Sequence, residues 1–133
     1  MSPFVRRIFA LVVGLHGLVH LIGFVVPWRL ATLEGFPYTT SAAWDAVELG
    51  EAGYKLVGVA WLVVATAFVV AAVGLWSSRP WAWTLTTGAA LASLPLCILG
   101  SPQALAGIFV NVAILVAIGV GRKRSRPMQE ATR

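Results

Sequence analysis

Side chains able to do chemistry are scarce in this chain. Its 133 residues include one cysteine, two histidines and five acids. The lone Cys97 excludes an internal disulfide framework, a CxxC redox pair and a cysteine-based zinc site built from one chain. Bis-histidine haem normally draws its two ligands from different helices, and there is no third histidine beyond His16 and His20, so haem within one chain is disfavoured. The chain also has no glycine-rich phosphate loop, no Ser-His-Asp spacing and no acid in the middle of an apolar run. Those absences count against nucleotide chemistry, serine hydrolysis and proton-coupled multidrug export. No catalytic residue is assigned, and an enzyme is the least supported class.

What is abundant is apolar. Hydrophobic residues make up 59% of the chain, charged residues 11%, and the mean hydropathy is +0.85. These values lie outside the range of soluble domains. The net charge of +5 would suit nucleic acid, but the basic residues flank apolar runs and form no face of their own. The expected partner is therefore a lipid bilayer with anionic headgroups, and no nucleic acid.

A bilayer core roughly 30 Å thick needs about 20 mainly apolar residues per helix. Residues 8–26, 54–76, 80–99 and 103–120 meet that need, so the expected fold is all-α, an integral membrane four-helix bundle. Of the basic residues, Arg6, Arg7, Arg79, Arg122, Lys123, Arg124, Arg126 and Arg133 flank one side, against Arg29 and Lys55 on the other. The positive-inside rule then puts both termini in the cytoplasm and the chain in a bacterial inner membrane. A cleaved signal peptide is the rival reading of the first run, but that run is long and the small residues Ser41-Ala42-Ala43 lie far beyond it. The division is a membrane domain over residues 1–121 and a basic cytoplasmic tail, expected to be disordered, over 122–133.

Small residues at helical spacing mark contact faces in lipid. Such a stripe runs through Gly53, Val57, Ala60, Val64, Ala67, Ala71 and Gly74, and others through Thr86, Ala90, Ser93 and Cys97 and through Ala104, Gly107 and Asn111. On the first span Ile8, Leu11, Val12, Leu15, Leu18, Val19 and Ile22 share a lipid-facing side. Ala10, Gly14 and Gly17 lie opposite, with His16, His20 and Gly23 beside them.

His16 and His20, four residues apart, stack two imidazoles about 6 Å apart along the axis. The spacing suits two nitrogen ligands to a divalent metal, with Cys97 as a third candidate, although HExxH is absent. Ring hydrogen bonds within a packed core are the plainer reading of the pair. At about 1.5 Å per residue, His16, His20, Ser93 and Asn111 all lie roughly 10–15 Å below the outer surface. Glu48 and Glu51 sit just above the second span and complete the candidate ligand set, though an ion pair of Glu51 with Lys55 is the simpler reading. Within the outer loop, residues 27–53, a short amphipathic helix is expected from Ser41, with Trp44, Val47 and Leu49 toward the membrane and Asp45 and Glu48 toward water.

Size, four-span layout and the passage Gly53-Tyr54-Lys55-Leu56 resemble the small bacterial membrane proteins of the DoxX-like family. That resemblance covers the four spans and implies association with redox or quinone-linked membrane complexes. It carries over no site residue. Three functional readings follow: a metal- or small-ligand-binding protein centred on His16 and His20, a structural or accessory subunit of a homo-oligomer or larger membrane complex, and an oligomeric transporter or channel protomer.

Overall fold

The computed structural model describes residues 1–130, with side chains described as far as Gly121. The tail expected to be disordered over 122–133 is helical backbone as far as Glu130, the end of the last helix, and its side chains lie outside the described residues. The first helix, α1 (Pro3–Val19), starts where Ser2 Oγ accepts the Val5 N–H at 3.3 Å and Pro3 takes a first-turn position. It stops at His20, whose N–H is shared between the carbonyls of His16 and Gly17 at 3.3 and 3.2 Å. A short helix, α2 (Ile22–Val25), continues the run, and α3 (Gly50–Trp76), α4 (Trp81–Leu99) and α5 (Leu105–Glu130) follow.

By length and composition, three segments can cross a membrane: Pro3–Val25, Gly50–Trp76 and Trp81–Leu99. The apolar part of the last helix, Leu105–Gly121, is shorter. Helix α1 packs on α3, α3 on α4 and α4 on α5, whereas α1 and α5 barely meet. The bundle is therefore solid at one end and open at the other. At the solid end Ala10, Val13, Phe68, Leu75, Ala82 and Ile118 form one buried cluster. On the outside of α1, Ile8, Leu11, Val12, Leu15, Leu18 and Val19 are exposed.

The buried face of α3 differs from the small-residue stripe in the sequence. Val64, Ala71 and Gly74 belong to it, but its centre is Trp61, Ala65, Phe68 and Leu75. The small residues at this seam are supplied by α1 and α2 instead. A Cβ on Gly17 would lie 2.7 Å from that of Phe68, and one on Gly23 would run into the Trp61 ring. Bulk on α3 fills gaps left by Gly17 on α1 and Gly23 on α2.

The loop before α3 departs from expectation more sharply. In place of an amphipathic helix from Ser41, strand β1 (Ser41–Ala42) pairs antiparallel with β2 (Val47–Glu48), Ser41 opposite Glu48 and Ala42 opposite Val47. The tip is held in left-handed backbone, with φ of 53° at Ala43, 58° at Trp44 and 62° at Asp45. For residues other than glycine such geometry costs on the order of 1–3 kcal/mol each and persists only where the surroundings impose it. Here the N–H groups of Ala43 and Trp44 donate to the carbonyls of Leu99 and Ser101 at 2.8 and 3.0 Å. Those long-range bonds outcompete the local ones a helix would make.

At the solid end Arg6 Nε donates to the Leu75 carbonyl at 3.0 Å, satisfying a C-terminal carbonyl of α3. Arg6→Met keeps the stem but removes the charge and the donor. It should lower stability by about 1 kcal/mol, read as a shifted midpoint on SDS titration in mixed micelles.

Candidate functional site

Five polar side chains from three helices meet between the solid and open ends. His16 and His20 come from the end of α1, Ser93 and Cys97 from one face of α4, and Asn111 from α5. Asn111 and Ser93 are fully buried, Cys97 and His20 nearly so, and His16 is 7% exposed. Both rings pack edge-on against Phe68, with centroids at 5.1 and 5.3 Å, and the His20 ring also meets Trp61 at 4.9 Å and His16 at 4.4 Å.

The hydrogen bonds fix where protons sit when the rings are neutral. Asn111 Nδ2 donates to the Gly107 carbonyl at 2.8 Å, and a carbonyl only accepts, so the amide orientation is set. Asn111 Oδ1 is then the acceptor facing His16 Nε2 at 3.2 Å, which makes that nitrogen the protonated one. His20 Nδ1 lies 2.9 Å from the His16 carbonyl and must donate, so its Nε2 accepts from the Ser93 hydroxyl at 2.6 Å. Ser93 Oγ in turn accepts the second Asn111 N–H at 2.7 Å, with Cys97 Sγ at 3.5 Å. The two histidines thus hold opposite tautomers, and 15N NMR of the selectively labelled protein in bilayers should show protonated Nε2 at His16 and protonated Nδ1 at His20.

One nitrogen is left over. Among the described residues His16 Nδ1 has no hydrogen-bond partner, and no fully enclosed side-chain nitrogen or oxygen lacks one, so this atom is open to space. That space is a cavity of about 690 Å³ lined by His16, where α1 and α5 diverge. Its walls include Val19, Val57, Trp61 and Val110, its rim Thr39, Ser41, Asp45, Tyr54 and Gln103. The volume falls in the range of small-molecule sites, roughly 300–1,000 Å³, and the mix of apolar wall and few polar groups is typical of them.

No known relative explains this arrangement. Protein-family models, curated proteins and solved structures were compared with the chain, and none matches. The likeness to the DoxX-like family therefore rests on layout and Gly53-Tyr54-Lys55-Leu56 alone.

Of the residues singled out in the sequence, His16, His20, Ser93, Cys97 and Asn111 converge. Glu48 and Glu51 do not. Glu48 accepts the Gly50 N–H at 3.0 Å, and Glu51 is bound to Lys55 at 2.9 Å, with Arg29 at 3.9 Å. Among the described residues no three His, Cys, Asp or Glu side chains are grouped to hold a metal ion, and both nitrogens of His20 are engaged. The Ser93–His20 contact has the reach of a nucleophile and its base. Ser93, however, is fully buried and off the cavity wall, so no substrate carbonyl reaches it. Sequence reading missed Asp45, Thr39, Gln103 and the wall position of Trp61. An aromatic inside an apolar helix, at about the depth of His20, was the available signal for Trp61.

Proposed function

We propose that this chain is a four-span membrane protein that binds a small, mainly apolar molecule through a hydrogen bond to His16, in the half of the bundle facing away from the cytoplasm. The observation that carries the reading is the unpaired Nδ1 of His16 on the wall of a 690 Å³ cavity. The other nitrogens and oxygens of the cluster side chains are engaged with one another or with the backbone. An acceptor fixed in one tautomer and presented to an apolar space favours a ligand with one hydroxyl or N–H at its buried end. The bias of Lys and Arg in the flanks supports the orientation, and the apolar segment Leu105–Gly121 supports a fourth span.

Two probes of similar size test this in lipid nanodiscs by titration calorimetry: 4-butylphenol, which can donate, and 4-butylanisole, which cannot. The phenol should bind about tenfold more tightly, the worth of roughly one good hydrogen bond. His16→Phe should erase that preference, and Val110→Trp, which fills the cavity, should remove binding of both. Equal binding of both probes to the wild type and to Val110→Trp would sink the reading.

An accessory-subunit reading is favoured by a second observation. A shallow apolar groove of about 360 Å³ lies between α1 and α3, with Ala10, Gly14 and Ala72 along it. It would seat a small-residue helix of a partner. Ala72→Cys should then cross-link to a neighbouring chain in native membranes, and recovery of the uncoupled chain alone would count against it.

A further inference from the structure

We propose that the ligand of this cavity is cationic: an apolar body with a hydrogen-bond donor at the His16 end and an ammonium group at the Asp45 end. The inference rests on the cavity reading above and adds the charge of what enters. Among the residues lining the cavity there is no Lys or Arg, and one carboxylate, that of Asp45. Two acceptors of different depth border the space, His16 Nδ1 inside it and, at the mouth beside Tyr54 and Gln103, the exposed Asp45 carboxylate, one oxygen of which accepts from Ser41. A ligand that satisfied them would bring donors, and at the carboxylate end a positive one.

Asp45 is free to take that role. Its described partner is the Ser41 hydroxyl, which donates to one carboxylate oxygen and adds no positive charge. Nearby cations are occupied elsewhere: Lys55 and Arg29 share Glu51, and the Arg29 guanidinium lies 4.3 Å over the Tyr38 ring. An exposed acid at a hairpin tip is ordinarily a solvated turn residue. This one is held over a cavity by three consecutive left-handed residues whose backbone is tied to the end of α4. Aspartate accepts that backbone more readily than Ala43 or Trp44 do, so the strain falls on its neighbours and sets its placement. Tyr54 on the rim and Trp61 on the wall add aromatic faces, which favour an ammonium over a carboxylate.

The test keeps the phenol fixed and varies the far end. Binding of 4-(4-aminobutyl)phenol, neutral 4-pentylphenol and anionic 5-(4-hydroxyphenyl)pentanoate is measured by calorimetry in nanodiscs of zwitterionic lipid. The wild type should rank them amine, neutral, acid, with amine over neutral by up to about fivefold, the scale of an exposed charge pair. Asp45→Asn should bring the amine down to the neutral probe and raise the acid, while leaving 4-pentylphenol unchanged. Asparagine also tolerates left-handed backbone and can still accept from Ser41, so this variant keeps the hairpin. Raising salt from 20 to about 150 mM should shrink the wild-type preference and leave the variant unaffected.

Equal binding of the three probes to wild type, or tighter binding of the acid, overturns the cationic ligand while the cavity reading stands. The same holds if Asp45→Asn leaves the ranking intact. If 4-pentylphenol itself fails to bind, the cavity reading falls and takes this inference with it.

Discussion

Asn111→Leu should destabilise the protein by about 2–4 kcal/mol, well beyond the roughly 0.6 kcal/mol of an average interhelical hydrogen bond in a membrane. The larger figure follows from how many groups depend on one amide. Asn111 accepts from His16 Nε2 at 3.2 Å and donates to Ser93 Oγ at 2.7 Å and to the Gly107 carbonyl at 2.8 Å. Leucine keeps the branching of the amide but carries bulkier methyls in its place and can satisfy none of them. His16 Nε2–H would be stranded in a site that excludes water, and Ser93 would lose the donor that sets its hydroxyl toward His20. The His16 ring, freed from its anchor, could turn over and present its other nitrogen to the cavity.

Two measurements separate stability from site geometry. The SDS midpoint in mixed micelles reports the first, and the preference for 4-butylphenol over 4-butylanisole reports the second. Asn111→Gln, which keeps both functions on a longer arm, should recover part of the stability but little of the preference, because the amide no longer meets Ser93 and His16 together. A change below about 1 kcal/mol for Asn111→Leu would mean that the His16–Asn111–Ser93 connection is not cooperative.

Much of this cluster was legible because it depends on helix periodicity and depth, both of which are local. A four-residue spacing puts His16 and His20 on one side of α1, and the same rhythm puts Ser93 and Cys97 on one side of α4. Counting depth then brings Asn111 to the same level. Glu48 and Glu51 lie at the mouth of α3, as expected, with Glu51 paired to Lys55, but depth counting ends there and does not say whether they face the cluster. Beyond it, positions depend on loop conformation.

That conformation was out of reach for a specific reason. Residues 41–48 form a hairpin because Ala43 and Trp44 find carbonyl acceptors at Leu99 and Ser101, more than fifty residues along the chain. No local propensity favours left-handed Ala43 and Trp44. For the same reason the sequence places Asp45 on an amphipathic helix facing water, whereas in the structure it is exposed on a hairpin tip that also borders the cavity. The pairing of bulk and gap across α1 and α3 was half visible. The glycines of the first span are evident in the sequence, but the small-residue stripe of α3 gives no sign of Trp61 and Phe68, which fill the space that Gly23 and Gly17 leave.

That pairing makes a sharp contrast between two glycines one helical turn apart. Gly17→Ala should destabilise the protein by about 1–3 kcal/mol, the cost of overpacking, whereas Gly14→Ala should be neutral or slightly stabilising. On helix propensity alone both should gain up to about 1 kcal/mol. Packing decides the sign. A Cβ at Gly14 would lie 3.3 Å from the Ala72 methyl, which a shift of a few tenths of an ångström relieves at the edge of an open groove. At Gly17 it would lie 2.7 Å from Phe68 Cβ and 3.1 Å from the Ala65 carbonyl, parts of the backbone of α3 or fixed directly to it. Rotation of Phe68 about its own bonds cannot move its Cβ, so α1 as a whole must back away from α3. Phe68 is also the ring on which both imidazoles rest, so retreat of α1 would lift His16 and His20 from their aromatic floor and draw them from Asn111 and Ser93. Gly17→Ala should therefore lose the phenol preference together with stability, although residue 17 contributes no side chain to the cluster and does not line the cavity. Equal SDS midpoints for the two variants would show that the α1–α3 seam yields, and that the glycines of α1 do not hold the histidines in place.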